Sequence, residues 1–329
     1  MKIPGKAQIE VSFNWIFVLI AGGAILIFFI MIANRQISED VCKTSNIIAQ
    51  RLESLLSAIQ QNPEGVQIQD DLNAEIEFSC MEDGHTYTVK GCGKKAYLDS
   101  QIVFSPKIIG ESKTIAWTQL YGTPYPVVQA LYFTDEKTQY IFETDTRDYY
   151  QKFPEQFERK LLTQGEIETM EDEGFRKYII ITIPQTTLNL DSSVQKKSTI
   201  IRVDDKELEF IYEGDYSNTV SVPYVNEVTM FGGIISGDDV LYGCTMEKMM
   251  QLSKIVGEIN LERTGMLAQI TNEKCEQFFT SNIPQGYIRD IIEKSIYAPD
   301  ADYTSLRETT TSLYNINRNM ARANCPTIY

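Results

Sequence analysis

The chain has 329 residues, 43% of them hydrophobic, and a formal charge of −15. That length and apolar fraction lie well clear of disorder and suffice for one large or two ordinary globular domains. The acidity excludes a protein that tracks nucleic-acid phosphates, which needs clustered Lys and Arg to release counterions. It also disfavours adhesion of a soluble part to anionic lipid.

From Val11 to Ala33 no side chain is ionised. At about 1.5 Å per residue such a stretch covers a hydrocarbon core of roughly 30 Å, so residues 11–33 are expected to form a single N-terminal transmembrane helix in contact with membrane lipid. A cleaved secretory signal has an apolar region of only about 7–15 residues and ends in small ones. This one ends in Phe28-Phe29-Ile30-Met31. Lys2 and Lys6 precede the span, whereas Arg35, Glu39, Asp40 and Lys43 follow it without positive excess. The expected orientation therefore keeps residues 1–10 in the cytoplasm and exports everything beyond the span.

Gly5-Lys6-Ala7-Gln8-Ile9-Glu10-Val11-Ser12-Phe13 leads into the apolar run. This segment resembles the class III leader of archaeal pilins and archaellins, and the resemblance implies cleavage between Ala7 and Gln8. Read from the residues alone, Lys2 and Lys6 serve equally as topogenic charges. Ile37, Val41, Ile48, Leu52, Leu55 and Ile59 then fall at helical spacings, and Asn62-Pro63 supplies a stop. The anchor is thus expected to continue into an amphipathic stalk over 34–62, or the stretch to form a helix that caps the domain core.

Residues 63–236 read as a mixed α+β domain rather than a regular βα repeat. Candidate strands are Ala74–Cys80, Tyr87–Lys90, Ile102–Phe104, Val127–Phe133, Gln139–Glu143, Tyr178–Ile183, Ser198–Val203, Glu207–Tyr212, Thr219–Val222 and Thr229–Ile235. A helix is expected over Tyr149–Thr163, where Phe153, Phe157, Leu161 and Leu162 share a face. Residues 237–329 read as a helical C-terminal subdomain, with Asp238 or Asp239 capping its first helix and further helices at Glu273–Thr280, Gly286–Tyr297 and Tyr303–Ala323. Met246, Met249, Met250 and Met266 are expected to pack in its core.

The phrases EIEFSC, IVFSPKIIG, TPYPVVQALYFTDEKTQYIF and LYGCTMEKMMQLSKIVGEINLE, with the terminal NMARANCPTIY, resemble a group of uncharacterised archaeal proteins with an N-terminal membrane anchor and a Cys-Pro-x-x-Tyr-type tail. The resemblance implies a topology and no reaction.

Six cysteines occur, Cys42, Cys80, Cys92, Cys244, Cys275 and Cys325. Outside the cytoplasm they favour disulfides. Cys80 with Cys92 across a polar loop is the first candidate pair, and Cys244 with Cys325 the second, Cys275 being able to replace either partner. No Cys-x-x-Cys pair exists, and the single His85 cannot complete a zinc site or serve a hydrolase triad. In Asp83-Gly84-His85-Thr86 it reads as an exposed turn residue. Phe231-Gly232-Gly233-Ile234-Ile235-Ser236-Gly237 lacks the Lys-Ser/Thr ending of a phosphate loop and reads as a strand ending in a tight turn. The acidic pairs Asp70-Asp71, Asp204-Asp205 and Asp238-Asp239 read as solvated faces, and Glu143, Asp145 and Asp148 as a candidate calcium set. No catalytic residue, cofactor or metal ligand is assigned.

The expected function is that of a membrane-anchored extracytoplasmic structural or interaction protein, pilin-like or pseudopilin-like, whose partners are other envelope proteins or itself. Asn14, Gly22 and Gly23 are the candidate helix-association residues, because small side chains let apolar helices approach closely. The alternatives are an anchored glycan hydrolase using a carboxylate pair and a ligand-binding sensor domain.

Overall fold

Three sheets account for the β-branched and aromatic runs of the first two thirds of the chain. The computed structural model describes residues 18–32, 46–50, 52–54, 58, 65–69, 74–81, 84–90, 95–98, 101–270, 273–279, 283–298, 301 and 303–329. The first sheet has the order β1-β7-β8-β5, from Gly65–Gln69, Thr114–Gly122, Pro126–Asp135 and Ile102–Phe104. β7 and β8 form its long antiparallel hairpin, turning through the cis Thr123-Pro124 peptide. A small antiparallel sheet has the order β4-β3-β2-β6, from Lys95–Tyr97, Gly84–Val89, Ile76–Met81 and Ile108–Ile109.

The third sheet positions the rest. Its order is β10-β9-β11-β12-β13-β14, from Arg159–Leu162, Thr138–Glu143, Lys177–Thr182, Ser198–Val203, Glu207–Tyr212 and Thr219–Pro223. β10, β9, β11 and β12 are mutually parallel, and β13 and β14 complete the sheet antiparallel. Short helices α2 (Arg147–Lys152), α3 (Gln164–Glu168) and α4 (Ser192–Gln195) carry the crossovers. Over 138–203 the chain is therefore a βα repeat inside an α+β fold, contrary to the sequence expectation. Every residue of β9 is buried, and so are Tyr178, Ile179, Ile180 and Ile181 of β11, as expected for parallel strands covered on both faces. Ile141, Ile180 and Ile200 meet Ile167 of α3 and Val194 of α4 on one face. Phe142, Ile179 and Ile201 meet the main core on the other.

Two assignments change type. The helix expected over Tyr149–Thr163 stops at Lys152, because Pro154 drives Phe153 into extended geometry (ψ 137°). Arg159–Leu162 then adds to the parallel sheet, and Thr163 caps α3 through a reciprocal box with Glu166. The strand expected over Thr229–Ile235 is helix α5 (Glu227–Ser236), opened by a capping box between Asn226 and Thr229 and closed by Gly237 at φ 55°. Gly232 and Gly233 mark the close passage of α5 over Phe104 and Leu208.

Helix α6 (Asp239–Ile270) follows, then α7 (Glu273–Glu276), α8 (Ile283–Lys294) and α9 (Thr304–Arg322). Asp238, as expected, caps α6 by accepting from Leu241 N at 3.0 Å. Met246, Met249 and Met250 are buried, while Met266 is exposed.

The N-terminal expectation is corrected. The apolar helix, α1, is described over 18–32, a rise of about 22 Å at 1.5 Å per residue. A spanning helix needs about 20 residues, and no helix among the described residues is long and apolar enough to cross a membrane. In the stretch expected to be a stalk, residues 46–50 and 52–54 are helical. There Leu52 is fully buried, Ile48 and Ala49 pack under the small sheet, and Tyr87 Oη donates to Ala49 O. This packing is that of a helix capping the domain core. Ile37, Val41, Leu55 and Ile59 lie outside the described residues.

Candidate functional site

The cysteines pair across the fold. Cys80 bonds Cys244, joining the small sheet to α6, and Cys275 bonds Cys325, joining α7 to the C-terminal tail. The expected Cys80–Cys92 pair is replaced, because Cys80 sits at the end of β2 where the small sheet packs on α6. The expected Cys244–Cys325 pair gives way likewise, Cys275 taking Cys325. Cys42 and Cys92 lie outside the described residues, as do Ala7, Gln8 and Asn14. Gly22 and Gly23 lie on α1, where an added Cβ would meet nothing within 4 Å.

His85 is buried in β3 rather than exposed in a turn, directly opposite Cys80. Its Nδ1 lies 3.3 Å from Thr245 Oγ1, and its Nε2 has no hydrogen-bond partner among the described residues. Burial, then the nearby Lys248 charge, holds its pKa down at about 4.

The acidic candidates are absorbed by structure. Glu143 is buried at the carboxyl end of β9, accepting from the Thr182 and Thr186 hydroxyls. No group of three potential metal ligands occurs among the described residues, so Glu143, Asp145 and Asp148 are not brought together. Asp239 accepts from the Tyr212 phenol. Asp70-Asp71 lies outside the described residues. An open acidic groove of about 440 Å³ does form between Glu168–Asp172 and Asn189–Ser193. There the Lys197 ammonium, with the Gly174 N–H and the Tyr178 phenol, holds Asp172 at about 2. The Ser193 hydroxyl and N–H lower Asp191. A glycosidase pair needs one carboxyl raised enough to donate a proton, and these two are shifted the other way.

A second cavity, of about 390 Å³, is lined by Gly122, Thr123, Tyr224, Val225, Asn226, Arg307, Thr310 and Thr311. Three separate segments build it. The β7–β8 hairpin gives Gly122 and Thr123, the link from β14 to α5 gives Tyr224 through Asn226, and α9 gives Arg307, Thr310 and Thr311. Since β14 runs in the direction of β12, this link and the β12–β13 turn lie at the carboxyl edge of the parallel strands, where ligands of open α/β sheets bind. Arg307 is fixed there. Its Nε donates to Val225 O at 2.9 Å, Nη1 to Asp205 O at 2.6 Å and Nη2 to Tyr224 O at 2.6 Å. The guanidinium carbon lies 4.8 Å from the centre of the Tyr224 ring. Burial pushes the Tyr224 phenol up to about 12, so it stays neutral and donates to Asp204 O. Thr123 and Thr310 line the space with buried Oγ1 atoms that make no hydrogen bond among the described residues. The Tyr121 phenol lies near Thr123 without reaching hydrogen-bond geometry.

None of these pocket residues is singled out by the sequence, because no local spacing connects a β-turn, a helix cap and a helix more than eighty residues further on. The N-terminal cap of α5 was legible in principle from Asn226-x-x-Thr229. Comparison with known proteins gives no match to a family model, a curated protein or a solved structure.

Proposed function

We propose that the chain is a non-catalytic structural or interaction protein of an oxidising, extracytoplasmic compartment, and that it assembles with copies of itself through α1. The observation that carries this reading is the exposure of α1. Its large apolar side chains are open to solvent by 39% at Ile32 to 68% at Leu19. A contiguous apolar surface of this kind marks an interaction site. Gly22 and Gly23, with open space beside them, offer a face on which a second helix can approach closely. The two disulfides among the described residues support the compartment, since such bonds persist where thiols are not kept reduced.

The finer reading is a pilin-like or pseudopilin-like envelope subunit of archaeal type, processed between Ala7 and Gln8, and it rests on the entry sequence. Mass spectrometry of the protein from its native cell tests it: a terminus at Gln8 supports processing and an intact Lys2 rejects it. Chemical crosslinking of the full chain tests the assembly. The natural sequence is expected to crosslink as a dimer, and replacing Gly22 and Gly23 by Leu is expected to abolish it. Equal crosslinking of both forms, or a monomer that partitions onto lipid vesicles instead, rejects self-association through this face.

A further inference from the structure

We infer that the cavity between the β7–β8 turn, the N-terminus of α5 and α9 binds a small organic carboxylate, with its anionic end on Arg307 and its body against Tyr224 and Val225. Guanidinium carries five N–H donors. The three carbonyl bonds occupy Nε and one proton each of Nη1 and Nη2, so each Nη keeps one donor. Donors left on both Nη atoms can serve the two oxygens of a carboxylate. No carboxylate of the described residues pairs with Arg307, and none of the residues lining the cavity is acidic. In a chain of charge −15 the cavity wall thus carries a guanidinium and hydroxyl donors, with the Asp204 and Asp205 carboxylates near Tyr224 outside the lining.

Two further features favour the same ligand. α5 points its N-terminus at the cavity through Asn226, and the positive end of a helix dipole favours an anion. Glu227, the acid of that first turn, is paired with Lys152 at 2.9 Å. Thr123 is 1% exposed, and its hydroxyl, like that of Thr310, is buried without a hydrogen-bond partner among the described residues. A bound oxygen acceptor satisfies both groups, and buried hydroxyls ordinarily have such a partner. The volume falls within the range of roughly 300–1,000 Å³ usual for small-ligand sites. The aromatic and aliphatic wall suits a ligand with an apolar body rather than inorganic phosphate.

Titration calorimetry on the full, disulfide-bonded chain tests this with phenylacetate, using its neutral isostere phenylacetamide and inorganic phosphate as controls. Phenylacetate is expected to bind and the amide is not. Thr310→Val and Arg307→Lys should each weaken binding by about tenfold or more, the loss expected for a hydrogen bond to a charged group. Thr310→Val removes only a hydroxyl, so it carries the test alone should Arg307→Lys disturb the fold as judged by its melting curve. No heat with phenylacetate, equal affinity for the amide, tighter binding of phosphate, or undiminished affinity in a folded Thr310→Val chain each overturns the inference.

Discussion

Cys80 at the end of β2 is bonded to Cys244 in the second turn of α6, at a sequence separation of 164 and with Cα atoms 5.9 Å apart. Closing so long a loop removes much of the unfolded chain's freedom, and the chain-entropy account places the gain at about 5 kcal/mol at most. The Cys80→Ser, Cys244→Ser double variant is expected to lose about 2–5 kcal/mol in urea unfolding while keeping its far-ultraviolet circular dichroism. The Cys275→Ser, Cys325→Ser variant, which opens a loop of 50 residues, should lose somewhat less. A first variant as stable as the natural chain would show that the link between small sheet and helix constrains nothing.

His85 makes the protein acid-sensitive. Its pKa is about 4 in the fold against 6.5 in the open chain, so protonation favours unfolding. The stabilisation is complete above pH 6.5 and is lost as pH falls from there towards 4, by about 2–3 kcal/mol at pH 4.5. His85→Gln, which cannot take up the proton, is expected to flatten that part of the stability curve. Urea midpoints at pH 7.5 and 4.5 for both forms check it, and parallel slopes would remove His85 as the cause.

Secondary structure was legible where periodicity and local signals agreed. β12 and β13 stand at their expected limits, and α6 starts after the expected Asp238 cap. It was illegible where a tertiary partner decided the outcome. Leu161 and Leu162 share a helical face with Phe153 and Phe157, yet pairing with β9 makes Arg159–Leu162 a strand. Thr229–Ile235 has the β-branched composition of a strand, yet its caps and the space beside Phe104 make it a helix. β7 was missed altogether, because its buried run Thr114–Thr118 follows no simple alternation. The cavity at Arg307 depends on all of these placements at once. No sequence window contains it.

Gly232 tests the α5 assignment. A Cβ there would stand 2.6 Å from two ring atoms of Phe104, whose ring is stacked between Tyr132 and Tyr242 and cannot swing aside freely. Gly232→Ala improves helix propensity by about 1 kcal/mol, but overpacking a filled core usually costs about 1–3 kcal/mol. The net expectation is a lower melting temperature. A stabilised variant would mean that α5 and β5 can move apart at little cost.

Asp135, at the end of β8, is a buried carboxylate with four donors around it. Its side chain is fully buried, takes the Gly110 N–H at 2.8 Å, the Lys137 N–H and the Thr138 hydroxyl at 3.1 Å, and pairs with Arg176. These bonds fasten the β6–β7 loop and the β8–β9 link to the start of β11. Removing the carboxylate strands all four donors, and breaking a buried pair from one side typically costs about 3–5 kcal/mol. Asp135→Ala should lose that much in urea unfolding. Arg176→Met should lose less, since the three neutral donors keep their acceptor and Arg176 is itself partly exposed. The double variant should lose less than the sum of the two, because each single change already breaks the shared pair. Strict additivity would mean that the Arg176 ion pair adds nothing and that the neutral hydrogen bonds alone hold this junction.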